Sequence, residues 1–196
     1  MGKSYYFFAA SLGMISFDQK PPMTVEEYLK LSKGFLTEEN FESMKGLLTG
    51  KTDDIKTSSQ ALQRWIVFDK SLKNEVASFR AKKAHKNPDD HIKGDSFRDY
   101  SLQDAISQAS RKENLLEAEK DIDNIRWEFL EDLSLGHYFD VDFLYIYGLK
   151  LKILERYVNI ASTRGAEVFN IYKENAAILA GDEAYGKEKK LLQKQN

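Results

Sequence analysis

Residues Asp123 to Tyr157 read DNIRWEFLEDLSLGHYFDVDFLYIYGLKLKILERY, and a change of character inside this stretch decides the fold. Up to Leu133 the apolar residues recur at threes and fours among charges, as in a helix with one inner face. From Val141 to Ile160 they fall on almost every side. A helix of that kind has no broad face to offer water, so it belongs at the centre of a helical domain. Gly136 ends the first helix, the turn runs through His137, Tyr138, Phe139 and Asp140, and Asp140 caps the apolar helix, with Asp142 placed well in its first turn. Gly148 costs about 1 kcal/mol against Ala inside a helix. Its presence predicts a neighbouring helix in close approach.

Outward from this centre the pattern stays helical. Leu102 to Leu133 reads as one helix of about 48 Å, with Leu115, Ala118, Ile122, Ile125, Phe129 and Leu133 along its inner stripe. Ser58 or Ser59 opens an earlier helix with Leu62, Trp65, Phe68, Leu72, Val76 and Phe79 on one face. Thr24 with Glu27 forms a capping box, Thr37 caps another helix, and Gly50 terminates it. Asn87 to Tyr100, with Pro88, Gly94 and several aspartates, reads as an exposed loop. Tyr5 to Ala10 is open between a buried strand and a helix start. A break near Ser162 to Gly165 precedes a last amphipathic helix through Val168, Phe169, Tyr172, Ala176 and Leu179. The expected fold is all-α, an elongated bundle of about six helices with one long helix and a central apolar one. Residues 1–23 form an aromatic leader packed on the core, 24–182 the helical domain, and 183–196 a frayed basic tail.

Composition narrows the function. The 196 residues carry a formal charge of −2, without the basic surplus of a dedicated nucleic-acid binder. The absence of cysteine rules out disulfides, thiolate metal sites and cysteine nucleophiles. Lys3 precedes an apolar run, but that run is aromatic, which disfavours a signal peptide. Lys150 and Lys152 interrupt the longest apolar stretch, so no membrane insertion is expected.

Tests for chemistry come out blank. Gly46 to Thr52 imitates a phosphate loop with three residues between its glycines where four are needed, and it follows a helix instead of a strand. No Glu-x-x-His pair is present for a di-iron bundle, because Ser134, Lys82 and Pro88 stand three places before His137, His85 and His91. No catalytic residue, cofactor or metal ligand is therefore assigned. The basic cluster Arg80, Lys82, Lys83 and Lys86 has two readings, a phosphate or acidic-partner site and a solvated helix end, and the nearby aspartates favour the second. Arg126 and Trp127 read as an ion-pair and packing node, with Asp123, Asp132 and Asp142 as acidic candidates; the alternative is a partner-binding hot spot. His137 reads as a capping or packing residue.

Two blocks carry a resemblance. Ser4 to Leu12 (SYYFFAASL), Ser16-Phe17-Asp18 and Pro21-Pro22 look like the start of a small bacterial family encoded with V-type (A/V-type) ATP synthases. Arg126 to Leu130, Gly136 to Asp140 and Tyr147 to Leu154 look like its second half. The resemblance implies a stand-in for the C-type adaptor of those complexes, the counterpart of the d-type adaptor in the eukaryotic V-ATPase. That adaptor is a helical, non-catalytic component seating the central stalk on the membrane rotor ring. The implied partners are stalk and ring subunits of a proton- or sodium-moving complex. The implied location is cytoplasmic, peripheral on the inner membrane. A conventional C-type adaptor is longer, with three helical lobes, so this chain would supply part of such a funnel. Interaction or structural candidates are Arg126, Trp127, His137, Asp140, Tyr147 and Lys150. The rival reading is a stand-alone helical adaptor or regulator of another protein.

Overall fold

The structure, a computed structural model, describes residues 5–52, 55, 57–94, 100–112 and 114–161. Two compact units divide the chain, residues 1–156 and 157–196, and only 157–161 of the second are described. Among the described residues all regular structure is helical. The α-helices are α1 (Tyr5–Ser11), α2 (Val25–Ser32), α3 (Glu38–Thr49), α4 (Gln60–Lys83), α5 (Tyr100–Ser110), α6 (Leu115–Ser134) and α7 (Val141–Ala161). A short 3-10 helix, Pro88–His91, lies between α4 and α5. The break near Ser162, the last amphipathic helix and the basic tail lie outside the described residues.

The ends of these helices follow local chemistry. The Thr24 hydroxyl accepts from the Glu27 amide at 3.1 Å, and the Glu27 carboxylate accepts from the Thr24 amide at 2.8 Å, closing the capping box on α2. Those bonds hold the Glu27 carboxyl below its usual value. Thr37 and Ser59 cap α3 and α4 through their hydroxyls alone, accepting from the amides of Asn40 and Leu62. Gly50 stops α3 in the left-handed conformation, with its own amide and that of Lys51 returning to the carbonyls of Leu47 and Gly46. Gly46 to Lys51 is thus a helix end, as the failed phosphate-loop spacing implied.

The apolar helix is central, as its composition demands. Leu144 to Leu151 is an unbroken buried run. Tyr28 of α2 donates to the Leu144 carbonyl at 2.7 Å, Tyr145 to the Asn40 carbonyl of α3 at 3.3 Å, and Tyr147 to the Gly13 carbonyl at 3.0 Å. A Cβ on Gly148 would lie 2.9 Å from Tyr28 Cε1, which is the close approach its position predicted. Lys150 inside the run and Lys152 just beyond it send their ammonium groups to different partners. Lys150 reaches Glu131 at 2.9 Å and lies 5.3 Å from the Trp127 ring centroid. Lys152 donates to the Leu47 carbonyl at 3.3 Å, near the carbonyl end of α3, where a cation is favoured. Burial lowers the Lys152 ammonium from its usual value, and Asp69 opposes that shift.

Within the aromatic leader Tyr5–Ser11 is helical, which resolves the Tyr5 to Ala10 ambiguity. Phe8 and Ala9 enter the main core, while Leu12, Ile15 and Phe17 pack partly against it. A second, smaller cluster joins Leu72 of α4, Leu102, Ile106 and Ala109 of α5, and Ile122 of α6.

Three expectations need correction. The single long helix over Leu102 to Leu133 is two helices, because Asn114 caps α6 with its side-chain oxygen on the Leu116 amide at 3.0 Å. Leu115, expected on the inner stripe, is half exposed at the first position of α6, before the helix reaches its packing face. The described part of the segment after Asn87, as far as Gly94, is largely exposed but not shapeless. Its 3-10 turn is capped by Asn87, and the buried Asn74 of α4 exchanges two hydrogen bonds with the backbone of Lys93 at 3.2 and 3.0 Å.

Candidate functional site

The helices α4, α6 and α7 meet through charge. Asp123 on α6 is 2% exposed and sits between two guanidiniums, Arg126 at 2.7 Å and Arg156 of α7. Arg126 also reaches Asp69 of α4 at 3.4 Å, and Asp69 holds Lys73 at 2.6 Å. On the other side Arg156 reaches Glu119 at 2.5 Å, and Glu119 also holds Arg80 of α4. Cation and anion alternate along the whole chain of contacts. Burial pushes the Asp123 carboxyl up, while Arg156 and Arg126 pull it back. For Arg156 burial works against the charge, yet Asp123 and Glu119 prevail and raise its value. A buried carboxylate survives here because each oxygen has its own guanidinium.

The acidic candidates for Arg126 were therefore only partly right. Asp123 pairs with it, Asp69 replaces Asp132 and Asp142, and Glu119 and Arg156 were missed. Pairs 57, 33 and 37 residues apart leave no local pattern. Asp142 instead stands 3.8 Å from His137 Nδ1, and its buried Oδ1 has no hydrogen-bond partner among the described residues.

The other sequence candidates fall into two places. Trp127, Tyr147 and Lys150 are interior residues. Trp127 packs on Phe17 at 5.5 Å, Tyr147 on Tyr28 at 5.5 Å, and Lys150 is 9% exposed. His137 and Asp140 instead order the α6–α7 turn. Asp140 accepts the Phe143 amide at 2.8 Å through one oxygen and meets His137 Nδ1 at 2.6 Å through the other. Gly136, at φ +87°, makes the turn possible.

That turn presents aromatic surface. Tyr138 and Phe139 are 65% and 51% exposed, Leu135 beside them more so, and the Phe139 ring meets Tyr6 of α1 at 4.6 Å. Tyr6 touches Phe7, which is 70% exposed. Residues more than a hundred positions apart thus form one apolar face, which no local reading of the sequence singled out. The only signal was a pair of aromatics in a turn whose ends are fixed by a glycine and a cap.

A cleft of about 510 Å³ opens beside the ion-pair chain, between α4, α6 and α7. Lys73, Arg80, Lys86, Arg126 and Arg156 line it against a single carboxylate, Glu119. Of the basic cluster read from sequence, Arg80 and Lys86 line the cleft, while Lys82 and Lys83 are exposed residues outside its lining. Among the described residues no group of His, Asp and Glu could hold a metal ion, and no helix is long and apolar enough to cross a membrane.

These features define an all-helical protein braced inside by ion pairs and marked outside by an exposed aromatic face. The chain belongs to the family described as Protein of unknown function (DUF2764), whose sequence model matches residues 51–174, more than half of its length. That description assigns neither an activity nor a partner. No curated protein and no solved structure matches the chain.

Proposed function

We propose that the protein is a non-catalytic adaptor subunit of a V-type ATP synthase, standing in the place of the C-type adaptor between central stalk and membrane ring. The observation that carries this reading is the contact of Tyr6 with Phe139. It joins the two blocks of sequence that resemble the ATP-synthase-linked family, and it joins them at the surface, where clustered aromatics mark protein contacts. The interior suits a part that transmits torque. A helix buried over eight consecutive residues and cross-linked to α6 by paired charges resists shear.

The same aromatic face would serve the rival reading, a stand-alone adaptor, so the test must name the partner. Tagged protein recovered from its own cells brings down stalk and ring subunits, and Phe7→Asp with Tyr138→Asp reduces that recovery without loss of helicity. Deletion uncouples ion movement while soluble ATP hydrolysis persists. Recovery without any ATPase subunit refutes the proposal.

A further inference from the structure

The cleft beside the ion-pair chain carries an inference independent of the adaptor reading. Counting the two carboxylates behind its wall, Asp69 and Asp123, five basic side chains still face only three carboxylates. The surplus sits on a protein whose formal net charge is −2, so it is local and not a general basic surface. Two kinds of donor remain available. Arg126 engages its carboxylates through Nε and Nη1, and Arg80 engages Glu119 through Nη2, so Arg126 Nη2 and Arg80 Nε and Nη1 are uncommitted among the described residues. Lys86, at the rim, has no ion pair among them at all.

Arg126 is also held in place before any ligand arrives, because Asp69 and Asp123 fix its guanidinium from two sides. A fixed planar fork loses little freedom on binding an oxyanion. The carbonyl end of α4 points toward this region and opposes an anion. The carbonyls of Arg80, Ala81 and Lys82 are already occupied, however, by the amides of Ala84, His85 and Lys86. The wall between the cations is apolar, formed by small residues of α4 and by Ile122. A space of about 510 Å³ is the size of a small-molecule site and not of a protein interface.

We propose that this cleft binds a compact polyanion, with a diphosphate group as the chemistry read by Arg80, Lys86 and Arg126. A monovalent anion would leave part of the surplus of two cations unmatched, whereas a diphosphate can match it and offers oxygens to more than one donor. The group can arrive free or as part of a nucleotide.

Calorimetric titration at low ionic strength with pyrophosphate, ADP, adenosine, orthophosphate and a glutamate-rich peptide tests this. Pyrophosphate binds one to one and more tightly than orthophosphate. Arg80→Gln with Lys86→Gln weakens it at least about tenfold, equal to about 1.4 kcal/mol, with unchanged circular dichroism. Should the double variant misfold, Lys86→Glu alone, at an exposed rim position, gives the same direction. ADP equal to pyrophosphate assigns the free diphosphate, and ADP much tighter assigns a nucleotide; both support the site. Absence of binding at millimolar pyrophosphate overturns it, as does undiminished binding by the variants, adenosine binding as well as ADP, or a glutamate-rich peptide binding more tightly than pyrophosphate. Recovery of ATPase subunits is unaffected by these variants, so the two proposals fail separately.

Discussion

Gly148→Ala inverts the usual expectation for a glycine in mid-helix. In an open helix the change to Ala gains about 1 kcal/mol. Here the added Cβ lies 2.9 Å from Tyr28 Cε1, 3.2 Å from Leu48 Cδ1 and 3.3 Å from Met44 Sδ. The leucine and methionine ends can yield by a few tenths of an ångström. The tyrosine ring cannot, because it is fully buried, tied by its hydroxyl to the Leu144 carbonyl, and packed between Phe8 and Tyr147. Overpacking of this kind costs about 1–3 kcal/mol, and a swing of Tyr28 would forfeit a hydrogen bond worth about 1 kcal/mol. Set against the propensity gain, the variant should lose about 1–3 kcal/mol. For a chain of this length that lowers Tm by about 2–12 °C. Urea unfolding followed by circular dichroism measures it, with the slope against denaturant unchanged. A variant as stable as the parent, or more so, refutes the packing account of α7.

Other outcomes follow from neighbouring features. Gly136→Ala loses about 1 kcal/mol through backbone strain alone, since a Cβ there meets nothing within 4 Å, and Gly136→Asn loses less; equal losses in the two melting curves contradict this. Asp123→Asn removes the anion shared by Arg126 and Arg156, and because Asp69 and Glu119 remain, the loss is about 2–3 kcal/mol, below the usual range for a broken buried pair. A loss under about 0.5 kcal/mol in urea would show the pairs to be ornamental. Burial raises the phenols of Tyr28, Tyr145 and Tyr147 above their unfolded value of about 10. The folded chain then keeps protons that the unfolded chain releases, so their stabilisation is complete below about pH 10 and is lost as pH rises through the folded values. Phenolate absorbance should lag in these residues until helicity is lost. Complete ionisation of all ten tyrosines with helicity intact refutes it.

What could be read in the sequence was whatever a short window contains. The apolar run of α7, the Thr24 box, the Gly50 stop and the Asp140 cap each depend on residues within a turn or two, and each is where its pattern placed it. The division between α5 and α6 was missed because the apolar spacing runs through it in phase, and the cap at Asn114 is preceded by no glycine or proline. The ion-pair chain, the cleft and the Tyr6–Phe139 face assemble residues from separate helices. Their partners are fixed by packing, and packing has no period. Lys150 and Lys152 show the limit well. They excluded a membrane span, yet nothing in their spacing told which neighbour each ammonium would find.

The placement of the central helix late in the chain also has a consequence for biosynthesis. Tyr28 finds its acceptor 116 residues downstream, and Tyr147 reaches 134 residues back to Gly13. At the usual pace of translation, about 5–20 residues per second, Tyr28 waits roughly 6–23 s before its acceptor residue in α7 is even synthesised. Until then Phe8, Tyr28, Met44 and Leu48 have no helix to close over them. A nascent chain stalled before residue 141 should therefore be held by chaperones or degraded, and one stalled after α7 has emerged should resist protease.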